Sequence, residues 1–80
     1  MTSALLNALK ALPANPPKAR VRFALTLIDA TQVRMATNTG IDPGLLSNAL
    51  NGYRRLTDEQ QDAVAKYLDV PRKILFPEAA

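Results

Sequence analysis

The chain predicts an all-α fold, a compact bundle of five to six short helices. Three observations carry that expectation. Apolar residues recur at helical spacing in one segment after another. The sustained alternation that marks a half-buried strand is missing, and β-branched residues stand singly. The periodic segments are bounded by prolines, glycines and short capping side chains, the signals that start and stop helices.

A chain of 80 residues makes one domain, and a domain of this size buries only about 60% of its unfolded surface. With 48% hydrophobic and 21% charged residues it reads as globular rather than disordered. Phe23, Tyr53, Tyr67 and Phe76 are its aromatic residues, so leucine, valine and alanine must fill most of the core.

The first element is expected over residues 3–12. Thr2 or Ser3 can cap it, and Leu5, Leu9 and Leu12 repeat at helical spacing with Leu6 beside them. Its leucine stripe has two readings: it folds back onto its own domain, or it pairs with a second subunit. The small size of the domain slightly favours pairing. Residues 13–17, Pro-Ala-Asn-Pro-Pro, form a linker, because proline lacks an amide proton and disfavours helix in the residue before it.

Residues 18–76 form the main unit. Its first helix is expected near residues 18–29, with Val21, Ala24, Leu25 and Ile28 on one face. Thr31 caps the next helix, which carries Val33, Met35 and Ala36 and stops at Asn38-Thr39-Gly40, where glycine accepts the left-handed conformation. Asp42 caps a further helix with Pro43 in its first position, where the missing proton costs nothing. Leu46, Ala49 and Leu50 follow at helical spacing, and Asn51-Gly52 ends it. Thr57-Asp58-Glu59-Gln60 has capping-box spacing and opens a helix running through Val64 and Leu68. A last turn begins at Pro71 and buries Ile74, Leu75 or Phe76. Residues 77–80 form a tail.

Cysteine and histidine are both absent. Disulfides, a thiol nucleophile, thiolate metal ligands and imidazole acid–base chemistry are removed together. Ser47 has no base to activate it. Asp58, Glu59 and Asp62 are better explained by the dipole of the helix they open than by catalysis or metal binding. No catalytic residue, metal site or cofactor is therefore expected, and an enzyme is the least favoured class. No apolar run approaches the roughly 20 residues that span a bilayer. The N-terminus lacks the basic start and cleavage pattern of a signal peptide, so a cytoplasmic location without membrane association is expected.

The net charge of +3 favours an anionic partner without naming one. Its distribution is more informative: Lys18, Arg20 and Arg22 cluster in one place and Arg54-Arg55 in another. Alternate residues on a helix do not share a face, so one or two of the first group at most can touch one partner. Between the two groups stand the short helices on either side of Gly40. Two helices joined by a glycine-containing turn form a recurrent DNA-binding device, in which a small residue such as Ala36 allows close crossing and the second helix presents its free face to the major groove.

The stretch Thr31-Gln32-Val33-Arg34-Met35-Ala36, with Gly40-Ile41-Asp42, Leu46-Ser47 and Asn51-Gly52, resembles the lambda-repressor/Cro-type helix-turn-helix family. The likeness continues through Arg54-Arg55, Val64, Leu68, Val70 and Leu75, and so spans roughly residues 18–76. It implies a transcription regulator, usually a repressor, that binds double-stranded DNA as a homodimer on two half-sites. By the same resemblance, Gln32, Ser47, Asn51, Tyr53, Arg54 and Arg55 would contact phosphates. Pro43, Gly44, Leu45 and Asn48 occupy the positions that reach base edges. Asn48 is the one polar side chain among these four, and its amide suits adenine; Leu45 suits a thymine methyl. Proline, glycine and leucine depart from the polar residues usual there, which shifts part of the specificity to DNA shape. Two alternatives stand beside this reading: a protein-interaction module that binds another regulator or a toxin, and a non-specific DNA binder.

Overall fold

Four of the helices in this chain start at a side chain that satisfies their first free amides. Thr2 Oγ1 accepts from the Leu5 N–H (3.3 Å), Thr31 Oγ1 from Arg34 (3.1 Å) and Asp42 Oδ2 from Leu45 (3.0 Å). Thr57 makes a full capping box: its hydroxyl accepts from the Gln60 N–H at 3.1 Å, and Gln60 Oε1 accepts from the Thr57 N–H at 3.0 Å. The resulting elements, in a computed structural model that describes residues 2–77, are α1 (Ser3–Ala11), α2 (Lys18–Leu27), α3 (Gln32–Thr39), α4 (Pro43–Leu50), α5 (Asp58–Leu68) and α6 (Arg72–Leu75). The described residues contain no strand, so the fold is all-α. Most of the tail expected at residues 77–80 lies outside the described residues.

Helix ends follow the backbone chemistry. Gly40 closes α3 at φ +71°, and Gly52 turns the chain after α4 at φ +86°. Two aspartates take the same left-handed region without being glycine: Asp29 after α2 (φ 52°) and Asp69 after α5 (φ 56°). Short acidic side chains are among the few that visit it.

α5 is the hub of the packing, lying against α2, α3 and α6, while α3 also packs on α4 and α1 lies on α2. One core unites all six helices. Leu9, Val21, Met35, Leu46, Val64, Leu68 and Leu75 are each fully buried in it, and every helix supplies at least one of them. The radius of gyration, 11.3 Å, is close to the about 12 Å expected of a compact chain this long. α1 is thus no projecting arm. Its Leu9 is used within its own chain, while Leu5, Leu6 and Leu12 are left half-buried.

Ile28 departs from the expected face of α2. It is 43% exposed, because the helix stops at Leu27 and Ile28 falls in the cap at φ −102°. Val33, on α3, is 67% exposed.

Candidate nucleic-acid interface

α4 is amphipathic in a way its length makes simple. Leu46, Ala49 and Leu50 are buried. Gly44, Ser47 and Asn48 lie on the other side, with Asn51 one turn further at the cap; this i, i+3, i+4, i+7 spacing places all four on one stripe. Gly44 and Asn48 are exposed, and Ser47 and Asn51 are half-buried. Pro43 (exposed) and Leu45 (half-buried) flank the stripe near the helix start.

The two ends of α4 differ in charge. At its N-terminus the Asp42 carboxylate caps the helix, and a Cβ added at Gly44 would lie only 3.1 Å from Asp42 Oδ2. Glycine at this position therefore leaves room for the cap itself. A carboxylate here also disfavours a phosphate at the helix start, since it occupies the favourable end of the dipole. At the C-terminus the Tyr53 N–H donates to the Asn48 carbonyl (2.9 Å) and the Gly52 N–H to that of Ala49 (3.1 Å), which closes the last turn. The chain then exposes Tyr53, Arg54 and Arg55 in succession before Leu56 returns to the core. Among the described residues, no acid pairs with either arginine.

Gln61 holds the far end of this loop. It is 2% exposed, and its Nε2 donates to the Leu56 carbonyl at 3.0 Å. Its Oε1 is buried with no hydrogen-bond partner among the described residues. A cavity of about 300 Å³ lies beneath the loop, lined by Gln61, Leu56, Pro17 and Phe76 among others. No sequence signal singled out Gln61, because its polarity on α5 resembles that of the half-buried Gln60 and the exposed Asp62.

Of the residues expected to contact phosphate, Ser47, Asn51, Tyr53, Arg54 and Arg55 gather at the C-terminal end of α4. Gln32 does not join them. It is half-buried at the first position of α3, where that helix begins about 12 Å from the Gly40 turn, and shares a shallow groove with Arg22, Thr26 and Ala30. The Asn51 amide is engaged within the chain: Nδ2 donates to the Ser47 carbonyl (2.9 Å), and Oδ1 accepts from Lys18 Nζ (3.2 Å).

The first basic cluster divides three ways. Lys18 reaches α4, and Arg22 is exposed. Arg20 turns inward, donating to the carbonyls of Leu12 (3.0 Å), Lys10 (3.0 Å) and Ile74 (2.6 Å). Asp62 forms an ion pair with Arg72 at 3.0 Å.

Among the described residues, no helix is long and apolar enough to cross a membrane. The fold and the basic loop thus define a small helical protein with an exposed, cationic loop directly after α4. No family model, curated protein or solved structure matches the chain.

Proposed function

We propose that this chain is a sequence-specific DNA-binding regulator, a repressor, that binds a short palindromic operator as a homodimer with α4 in the major groove. α3, the Gly40 turn and α4 would then form its helix-turn-helix. One observation carries the reading: the stripe through Gly44, Ser47 and Asn48 is turned away from the core and runs directly into the exposed, acid-free sequence Tyr53-Arg54-Arg55. A helix that offers an amide to base edges beside exposed guanidinium groups matches what a duplex presents, base edges flanked by phosphates. The protein would act in the cytoplasm, on the nucleoid, and no reaction or cofactor enters the proposal.

In this reading Asn48 reads a base, Leu45 packs on an apolar base edge, and Arg54 and Arg55 neutralise phosphates. Pro43 and Gly44 let the backbone approach closely. The use of Leu9 within its own core weakens the case for pairing through α1. Leu27, Ile28 and Val33, exposed around the α2–α3 corner, supply apolar surface elsewhere. The same three residues favour a second reading, a protein-interaction module, in which that corner meets a partner protein.

In vitro selection from random DNA duplexes separates the readings. An enriched palindrome with half-sites about one helical turn apart is the expected result. Asn48→Ala should relax the preference at one base position, at a cost of about 1–3 kcal/mol. Arg54→Ala should weaken binding to all sequences alike and reduce the log–log salt slope by about 0.9. Selection that enriches nothing over bulk DNA overturns the specific regulator.

A further inference from the structure

We infer that Lys18 is a phosphate contact delivered to the DNA face by α2, and that Asn51 is the residue that positions it rather than a contact itself. The inference rests on the DNA-binding reading above and changes which residues carry it.

Lys18 opens α2, a helix with no acid in its first turn and no side-chain cap, so its ammonium sits at the end of the helix dipole that disfavours a cation. What holds it is 33 positions away in sequence: Nζ donates to Asn51 Oδ1 at 3.2 Å. The Asn51 amide has only one orientation available, because its Nδ2 donates to the Ser47 carbonyl at 2.9 Å and the oxygen must then face Lys18. An ammonium carries three donors, and this contact uses one of them. No acid among the described residues pairs with Lys18. It therefore stands half-buried, with spare donors, at the α4 end from which Tyr53, Arg54 and Arg55 emerge. Cations from two separate elements converge on one end of one helix. That arrangement suits a polyanion that passes across both elements, as a duplex backbone does.

The alternative is a purely structural role, with the lysine serving the partly negative C-terminus of α4. Salt dependence distinguishes the two, measured by fluorescence anisotropy on a labelled mixed-sequence DNA duplex. Lys18→Met should reduce the log–log slope by about 0.9, as Arg54→Ala does, and Lys18→Arg should keep it. Asn51→Ala should weaken binding in the wild-type background and have no further effect in the K18M background, the pattern of a residue acting through another.

If K18M unfolds more easily but keeps the wild-type slope, Lys18 is structural and the inference falls. If Asn51→Ala is equally costly in both backgrounds, Asn51 touches DNA directly and its positioning role falls. Should wild type and Arg54→Ala behave as proposed while K18M matches wild type, only this inference fails. Should the wild-type protein not bind the duplex at all, the DNA-binding reading fails with it.

Discussion

Gly40 and Gly52 both turn the chain with a positive φ, +71° and +86°, but their surroundings differ. A Cβ at Gly40 would meet nothing within 4 Å, so a side chain there pays only for the left-handed backbone. At Gly52 it would also lie 3.3 Å from Pro16 Cβ, where the linker crosses the turn. Gly40→Ala is therefore expected to cost about 1–2 kcal/mol in urea unfolding, the ordinary penalty for that backbone region. Gly52→Ala should cost more than Gly40→Ala. Equal costs would mean that the linker yields freely. Gly52 was legible in the sequence as a helix stop, and its packing against Pro16 was not, since nothing local brings residues so far apart together.

At the scale of the element, Arg20 shows how one side chain can join two helices. Its guanidinium donates to Lys10 and Leu12 at the end of α1 and to Ile74 in α6. It satisfies carbonyls that a helix C-terminus leaves without partners. Arg20→Met should lower stability by about 1.5–3 kcal/mol, the usual worth of hydrogen bonds to a charged group. DNA salt dependence should stay unchanged, because the guanidinium is turned away from α4. A drop in slope would instead make Arg20 a phosphate contact. In sequence Lys18, Arg20 and Arg22 looked alike, as three cations at alternate positions of one helix. The surroundings separated them: an asparagine on α4, three carbonyls, and solvent.

At the scale of the whole molecule, the six helices among the described residues share one core, and each supplies at least one fully buried residue to it. A chain of this length has about 4–12 kcal/mol of total stability. Leu9, the fully buried residue of α1, lies within the same cluster as Met35, Val64 and Leu68. Leu9→Ala is expected to remove about 2–5 kcal/mol and to lower the melting midpoint by roughly 8 °C or more, in a single transition observed by circular dichroism. A small loss would show that α1 lies on the domain without supporting it. α1 was legible from its leucine spacing, but periodicity reveals only that a face is apolar, not what covers it.

The sequence by itself determined the fold class, the helix starts at Thr31, Asp42 and Thr57, the turn at Gly40, and the helical faces that carry Met35, Val64 and Leu68. These follow from interactions within a few residues, namely caps, glycine backbone freedom and the 3.6-residue repeat. Among Ile74, Leu75 and Phe76 the structure chose Leu75 for the core. The tertiary structure alone decided that Leu9 turns inward, that Arg20 is a tie between helices, that Lys18 reaches Asn51, and that Gln61 holds the Arg54-Arg55 loop through Leu56. The Arg20 and Lys18 contacts join partners 54 and 33 positions apart, which no local pattern specifies. Hydrogen bonds between distant elements depend on how the helices stack, and stacking is set by the whole apolar surface at once.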